Sequence, residues 1–291
     1  MINYSLAIIG SRDFDDYDLL KEEIGKLPKP SLIVSGKAKG ADSLGEVYAA
    51  EFGIPTKIFP ALWRPNGEGG DFDKGAGMKR NVSIVENADA IIAFWDGVSS
   101  GTLNSINLSI MKKKFLKIVY YKIPELKMDE SNILGFSGKY RWLSNMFPEN
   151  IVGFWGITFP SVENAYQAGK FLNSPNIVRK MANIPPIESK ILAKTLEINT
   201  PEFHSRKVNL MKYLLEKKFR NEVLKKKLAH TCGHIEETNT WGDTFWGCCP
   251  QGHGDNNLGE ILMEIRRPLI DGYVKRKLLS EKQEEFENCH E

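Results

Sequence analysis

The first half of the chain contains the segment Leu32-Ile33-Val34-Ser35-Gly36-Lys37-Ala38-Lys39-Gly40-Ala41-Asp42, which decides its fold. The apolar residues predict a short buried strand, the glycines predict a turn, and a helix is predicted from there to about Phe52. Further apolar strands are predicted at 6–10, 56–59, 90–94 and 115–120, and helices at 17–27, 78–87 and 102–112. Strands that alternate with helices of this length indicate βαβ units, so the sequence predicts an α/β, Rossmann-like, mostly parallel sheet.

Glycine-containing loops follow three of these strands. Parallel strands end at a common edge of the sheet, which is where such sheets bind ligands. Glycine lets backbone amides approach a phosphate closely, and a helix N-terminus adds partial positive charge. One such loop is an ordinary turn, but three at one edge favour a nucleotide site. Arg80 either clamps a phosphate or pairs with an acid, and spacing alone leaves both interpretations open.

Four ordered motifs mark this half: Gly-Ser-Arg at 10–12, Ser-Gly-x-Ala-x-Gly-Ala-Asp at 35–42, Arg-Asn-x-x-Ile-Val-x-x-Ala-Asp at 80–89 and Phe-Trp-Asp-Gly-x-Ser-x-Gly-Thr at 94–102. They resemble the SLOG superfamily, in its YspA/YpsA-like Rossmann-like branch. The resemblance implies a domain that senses or processes nucleotide-derived ligands. Members that cleave nucleoside monophosphates have a glutamate three residues after Gly-Thr, where this chain has Ser105, so we expect ligand binding. The implied nucleotide-binding residues are Gly10, Ser11, Arg12, Ser35, Gly36, Gly40, Asp42, Arg80, Asn81, Gly97, Ser99, Gly101 and Thr102.

Beyond residue 130 the alternation of strands and helices stops. Residues 136–147 predict a short strand and a turn, 157–160 another extended piece, and helices are predicted at 188–196, 201–219, 221–229 and 260–267. Ser161 has the form of an N-cap, and Glu163, Gln167 and Lys170 follow on one polar stripe of a helix. Spacing alone favours a dipole-complementing role for Glu163 over a catalytic role.

Residues 236–259 form the densest polar segment. Two Trp-Gly pairs, at 241–242 and 246–247, surround Asp243. Flat aromatic rings can stack on a base, and glycines let a ligand approach the backbone. This composition is unusual for a plain loop and favours a ligand-binding role.

The motifs of the second half are Phe136…Leu143-Ser144-Asn145, Pro160-Ser161-Val162-Glu163-Asn164-Ala165-Tyr166-Gln167-Ala168-x-Lys170, Trp241-Gly242-Asp243-x-Phe245-Trp246-Gly247 and Gly254-x-Asn256-Asn257-Leu258-Gly259-x-Ile261-Leu262-Met263-x-Ile265-Arg266. They resemble the NADAR superfamily, also called YbiA-like, over about 133–270. The resemblance implies a mainly α-helical domain that hydrolyses N-glycosidic bonds in ribosylated riboflavin-pathway intermediates or, in some members, ADP-ribose attached to guanine. Many members have histidine where this chain has Asn164. The implied catalytic residues are Glu163 and Asp243, and the implied substrate-binding residues are Asn164, Gln167, Lys170, Trp246, Asn257 and Arg266.

The composition of the chain excludes several classes of protein. With 42% hydrophobic and 26% charged residues, the chain is neither disordered nor fibrous, and its 39 basic and 37 acidic side chains nearly cancel. No apolar run approaches the roughly 20 residues of a membrane helix, and the first residues do not resemble a signal peptide, so we expect a cytoplasmic protein with no membrane partner. The cysteines and histidines near 232–253 match no standard zinc spacing, so we expect reduced thiols and no metal.

The sequence therefore predicts four segments: a nucleotide-binding domain at 1–124, a linker at 125–132, an N-glycosidase domain at 133–272 and a charged helical tail at 273–291. We expect hydrolysis of an N-ribosyl or ADP-ribosyl nucleotide-type substrate with no required cofactor, and an NAD- or ADP-ribose-type ligand on the first domain. Two alternatives stay open: a non-catalytic sensor or sequestering protein for an ADP-ribose-derived signal, and an ADP-ribosyl-guanine hydrolase on DNA. The near-zero net charge disfavours a nucleic-acid partner, and the tail leaves a homo-oligomer open.

Overall fold

The computed structural model describes residues 3–66, 68 and 70–271 of the 291-residue chain. The first half contains five strands, β1 (Ser5–Gly10), β2 (Leu32–Ser35), β3 (Thr56–Ile58), β4 (Ala90–Trp95) and β5 (Phe115–Tyr120). All neighbouring pairs are parallel and the order is β3-β2-β1-β4-β5. The predicted Rossmann-like parallel sheet is thus confirmed.

Four helices connect these strands: α1 (Tyr17–Gly25), α2 (Ala41–Glu51), α3 (Ala76–Glu86) and α4 (Ser100–Met111). Helix α1 begins where the Asp16 side chain accepts a hydrogen bond from Leu19 N at 2.9 Å. The sheet carries apolar side chains on both faces because helices cover it, and Leu6, Ile8, Ile33 and Phe94 are completely buried.

The strand order indicates where a parallel sheet of this kind binds a ligand. From β1 the chain continues to β2 and β3 on one side, and it then returns to place β4 and β5 on the other side. The loops after β1 and β4 therefore diverge at their carboxyl ends, which opens a crevice at this point of the sheet.

The second half contains short strands and several helices. In chain order they are β6 (Ile133–Leu134), a 3-10 helix (Gly138–Leu143), β7 (Pro148–Val152), β8 (Thr158–Ser161), α5 (Val162–Ala168), α6 (Pro175–Ala182), α7 (Pro186–Lys194), α8 (Phe203–Lys218), α9 (Glu222–Ala229) and β9 (Ile235–Glu236). Within the described residues, a further helix, α10, spans 257–271. Strands β7 and β8 pair antiparallel, and β6 pairs with β9 in parallel.

Contacts divide the chain into two compact units. The first contains Met1–Pro124 and Asn145–Pro201, and the second contains Glu125–Ser144 and Glu202–Glu291. The sheet therefore shares its unit with β7, β8 and the helices α5 to α7. The predicted tail at 273–291 lies outside the described residues. Within the described part of the chain, no helix has the length and apolar character needed to span a membrane.

Candidate functional site

Helix α5 carries the first group of predicted site residues. Ser161 caps it as predicted, because its Oγ accepts a hydrogen bond from Asn164 N at 3.2 Å. Every residue of Val162–Ala168 is buried, and the helix packs against α6 and α7. A helix enclosed in this way holds its polar side chains in fixed positions, since neighbouring elements restrict their rotamers.

Glu163 lies in the first turn of α5 and is only 7% exposed. Its Oε1 accepts a hydrogen bond from Gln167 Nε2 at 2.8 Å, and its backbone N donates to Asn145 O at 2.9 Å. Gln167 is 5% exposed, and its Oε1 has no hydrogen-bond partner among the described residues. Ser161, and not Glu163, therefore caps the helix, and the Glu163 carboxylate bonds the side chain of Gln167.

Lys170 follows one turn later, in the 3-10 segment Gly169–Phe171. Partial burial lowers the pKa of its ammonium group, and the negative charge of Glu163 opposes that shift. The Nζ atom lies 5.7 Å from the centre of the Tyr166 ring. The predicted polar residues therefore place a carboxylate and an amide on successive turns of α5 and an ammonium group on the 3-10 turn that follows it.

Asn164, also predicted to bind substrate, is completely buried. Its Nδ2 donates to Met181 O at 2.7 Å and to Ile184 O at 2.9 Å, and its Oδ1 accepts from Ser161 Oγ at 2.7 Å. Its amide therefore ties α5 to the end of α6 and the residues that follow. Sequence spacing did not reveal this role, because the partners are backbone carbonyls about 20 residues away.

The 236–259 segment brings three predicted residues together around one turn. Asp243 Oδ1 accepts hydrogen bonds from Phe245 N at 3.2 Å and Trp246 N at 2.9 Å. Asn257 Nδ2 donates to Phe245 O at 2.7 Å, and the Trp246 ring packs edge-on against the Phe245 ring at 5.0 Å. Asp243 and Asn257 thus shape the loop that carries Trp246.

Arg266, on α10, is predicted to hold substrate. Its Nη1 donates to Gly233 O at 2.7 Å and lies 3.4 Å from Thr231 Oγ1, and the residue is 9% exposed. Burial lowers the pKa of its guanidinium group. In the described structure, this cation fastens α10 to the segment before β9.

The predicted nucleotide residues meet in a crevice at the carboxyl ends of β1 and β4. Its volume is about 80 Å³. Of the thirteen predicted residues, those that line it are Gly10, Arg12, Asp42, Arg80, Asn81, Ser99, Gly101 and Thr102. Ser105 lines it as well, together with the apolar Ile9 and Ile84 and with Ala38.

The remaining predicted residues stand behind this lining and shape the loops. Gly40 has φ +82°, and a Cβ there would collide with the carbonyl oxygen of Ser11. Ser11 Oγ accepts from Asp96 N at 3.3 Å, and Gly97 also has positive φ. Ser35 Oγ donates to Glu46 at 2.6 Å. These residues therefore act through the shape of the crevice.

Asp42 and Arg80 supply the charge at this edge. Asp42 Oδ2 accepts from Gly36 N at 3.0 Å and from Ala38 N at 3.4 Å, and Arg80 Nη1 lies 4.0 Å away. Burial raises the pKa of the Asp42 carboxyl, and Arg80 opposes that shift. Arg80 Nη1 also donates to Gly36 O at 3.0 Å. The structure therefore shows Arg80 beside an acid, Asp42, and in the lining of the crevice, while its binding of a phosphate stays a prediction.

A metal centre has no ligand set in the described residues: no group of three His, Cys, Asp or Glu side chains is placed to hold an ion. Cys232, Cys248 and Cys249 are free thiols.

Comparison with known proteins identifies the second half. The family model of the NADAR domain matches residues 135–270. Through this domain the chain belongs to the NADAR family. The Gene 61 protein of Mycobacterium phage D29 is 32% identical over 107 residues, which cover 33% of this chain and 81% of that protein.

Two further relatives carry functional names. N-glycosidase YbiA of Escherichia coli (strain K12) is 29% identical over 117 residues, 39% of this chain and 72% of YbiA. The NMR structure of the E. coli protein YbiA matches 52% of this chain and 90% of its own at 25% identity, with a TM-score of 0.43. The chloroplastic riboflavin biosynthesis protein PYRR of Zea mays is 30% identical over 168 residues. These residues cover 50% of this NADAR chain but only 27% of that relative.

Proposed function

We propose that this chain is an N-glycoside hydrolase that acts on an N-ribosyl or ADP-ribosyl nucleotide-type compound, with Glu163 as the central catalytic residue. The observation that carries the proposal is the buried Glu163 carboxylate, which is held by Gln167 on a helix already capped by Ser161. Relatives of the NADAR domain named N-glycosidase YbiA support the reaction class.

The proposed reaction breaks the bond between the ribose C1′ and a base nitrogen. The bonding electron pair leaves with the base, and positive charge develops on the ribose, where the Glu163 carboxylate stabilises it or activates water. The water oxygen forms the new bond to C1′, and the water proton is delivered to the departing nitrogen. Gln167 orients the carboxylate through its 2.8 Å hydrogen bond, and Lys170 offers a cation for a substrate phosphate.

The other proposed residues belong to the 236–270 region. Asp243 is proposed to orient ribose hydroxyls or to share the acid–base work through Oδ2, since Oδ1 is bonded to two backbone amides. Trp246 is proposed to stack on the departing base. Asn164, Asn257 and Arg266 each donate a side-chain hydrogen bond to a backbone carbonyl, so they are proposed to shape the segments that carry them.

For the first half we propose binding, without catalysis, of an NAD- or ADP-ribose-related ligand in the crevice. The buried carboxylate in the lining of the crevice is Asp42, and two backbone amides already donate hydrogen bonds to it. Ser105 lines the crevice, and the resemblance of the first half to nucleotide-cleaving proteins implies a glutamate at that position. The first half is therefore proposed to deliver substrate, to sense a signal or to gate the second half, through a ligand chemically related to the substrate.

The test uses the full chain and a panel of N-ribosyl compounds, including riboflavin-pathway intermediates, NAD, ADP-ribose and ADP-ribosylated guanosine, with products identified by mass spectrometry. Wild type is expected to release a free base from at least one compound, and Glu163→Gln is expected to lose that activity. Glu188→Gln is the matched control, because Glu188 is also a first-turn glutamate but is exposed on α7. Tight stoichiometric binding without turnover of any compound would contradict the proposal.

A further inference from the structure

A second cavity lies beside the crevice, at the carboxyl end of β3. Its volume is about 390 Å³. The residues that carry its chemistry are Phe59, Leu62, Asp73, Lys79, Arg80 and Ser83. Neither the sequence motifs nor the proposed function uses Phe59, Leu62, Lys79 or Ser83.

Helix α3 forms the wall between the two spaces. Residues 76, 79, 80 and 83 line the larger cavity at helical spacing, whereas 80, 81 and 84 line the crevice. Arg80 belongs to both sets. Its guanidinium bonds Gly36 O and the Asn81 side chain on the crevice side. A ligand that extends along the carboxyl edge of the sheet would therefore pass this arginine.

The larger cavity is mainly apolar and the crevice is small and lined by arginines, and the base and the phosphate of a nucleotide differ in the same way. The larger cavity is lined by apolar side chains, among them the aromatic ring of Phe59, and by polar groups from Lys79, Ser83 and Asp73, whose carboxylate pairs with Lys79 Nζ at 2.8 Å. The crevice has the volume of about two or three water molecules, which suits a phosphoryl group. It also contains Arg12, Arg80 and the N-terminal turn of α4, which has no acidic side chain. The Asp42 carboxylate also lines the crevice, and its Oδ2 accepts hydrogen bonds from Gly36 N and Ala38 N.

Size limits the ligand further. Pockets for small molecules commonly measure about 300–1,000 Å³, so a cavity of about 390 Å³ suits a single nucleoside better than two. The apolar wall favours a flat base over a second sugar, because aromatic surface gains most from leaving water.

We propose that the larger cavity binds the base and ribose of one nucleoside 5′-monophosphate unit, whose phosphate lies in the crevice beside Arg80 and the α4 N-terminus. The proposal rests on the ligand-binding role proposed for the first half, and it names the part of the ligand that is recognised. ADP-ribose or NAD would then bind through its AMP half, and AMP alone would suffice.

Two substitutions separate the two spaces. Ser83→Trp fills the larger cavity, and the hydroxyl that it removes makes only a 3.5 Å contact to Lys79 O within its own helix. Gly101→Leu fills the crevice, because a Cβ at Gly101 meets no atom within 4 Å. Glu86→Trp is the control for Ser83→Trp, since it adds the same ring to an exposed position of α3.

Calorimetry on the full chain would compare inorganic phosphate, adenosine, AMP and ADP-ribose. AMP is expected to bind at least about tenfold more tightly than phosphate. Ser83→Trp is expected to remove that gain and leave phosphate binding unchanged, Gly101→Leu to weaken both, and Glu86→Trp to change neither. Equal affinity for AMP and phosphate, or an unchanged affinity of Ser83→Trp for AMP, would overturn the inference.

These outcomes also separate the inference from the proposed function. If ADP-ribose binds, is lost in Gly101→Leu and is unaffected by Ser83→Trp, the ligand-binding role stands and the nucleoside subsite is wrong. If no nucleotide binds, the ligand-binding role of the first half and the nucleoside subsite are both wrong. The catalytic role of Glu163 is then decided separately by the turnover test. Normal thermal unfolding of each variant would show that a loss of binding does not come from a loss of folding.

Discussion

Single residues of the candidate site differ in whether their polar atoms are already engaged. Asn164 and Arg266 donate to backbone carbonyls, and they hold the fold around them. Glu163 and Gln167 bond each other, and the Gln167 carbonyl oxygen has no partner within the described chain. A buried polar atom without a partner is costly, so this oxygen is the natural place for a ligand hydroxyl or a water molecule.

Lys170 tests the electrostatic link within this group. Burial lowers its pKa, and the Glu163 carboxylate opposes that effect, so removing the carboxylate must lower the pKa further. We expect Glu163→Gln to shift the Lys170 titration to lower pH, as measured by NMR of the lysine side chain. Glu188→Gln should leave the titration less affected. An upward shift in Glu163→Gln would show that the two groups do not interact as described.

Asn164 tests whether a residue implied by the family resemblance acts on the fold or on the substrate. Asn164→Ala leaves the carbonyls of Met181 and Ile184 without their donor, so we expect a loss of about 1–3 kcal/mol in the free energy of unfolding. Asn173→Ala, which removes one exposed hydrogen bond to Asn199 O, should cost less. The measurement is chemical denaturation. An unchanged stability together with a raised KM would instead assign Asn164 to the substrate.

Secondary-structure elements were predictable from the sequence where the signal is local. Strands β1, β2 and β4 are mainly apolar runs that end at or are followed by glycine or polar residues, and the Ser161 cap has its signature within three residues. The segment 138–143 is a 3-10 helix where a strand and a turn were expected, since Trp142 and Leu143 are buried by packing that sequence patterns do not report. Strand β7 was missed because Pro148 and Asn150 are poor strand residues. Its antiparallel pairing with β8 is a tertiary contact that the local sequence pattern does not report. Helix α6 was missed although Ser174-Pro175 is a helix-start signal.

The crevice loops depend on glycine in two distinguishable ways. Gly40 has φ +82° and no room for a Cβ, so Gly40→Ala is expected to cost at least about 1–3 kcal/mol in the free energy of unfolding. Gly101 lies in a helix with open space around its Cβ position, so Gly101→Ala should be neutral or slightly stabilising. Thermal unfolding of both variants checks the pair. Equal losses would mean that the crevice backbone differs from the one described.

At the scale of the whole molecule, the compact units do not follow the family match. The NADAR match begins at residue 135, yet 145–201 share a unit with the parallel sheet. Phe147, between the 3-10 helix and β7, is completely buried with its ring 6.3 Å from that of Trp95 on β4. Sequence motifs locate families well, but contacts between distant segments depend on side-chain shapes that no motif reports. The near-zero net charge agrees with a small ligand better than with a long polyanion.

This packing predicts that a substitution in 145–201 also destabilises the parallel sheet. Phe147→Ala removes a large buried ring, so we expect a loss of about 3–5 kcal/mol and faster hydrogen exchange in β4 and β5. Phe72→Ala is the control, because Phe72 is more than half exposed. If exchange in β4 and β5 stayed at the wild-type rate while 145–201 alone became less protected, the sheet and this segment would not fold as one unit.

The catalytic role of Glu163 can be measured by single-turnover hydrolysis in water labelled with ¹⁸O, using the best substrate of the N-ribosyl panel. We expect one labelled oxygen at C1′ of the released sugar. We also expect Glu163→Gln to slow the reaction by about 10²–10⁴-fold, while Glu188→Gln retains the wild-type rate. Hydrolysis by Glu163→Gln at the wild-type rate would contradict this role.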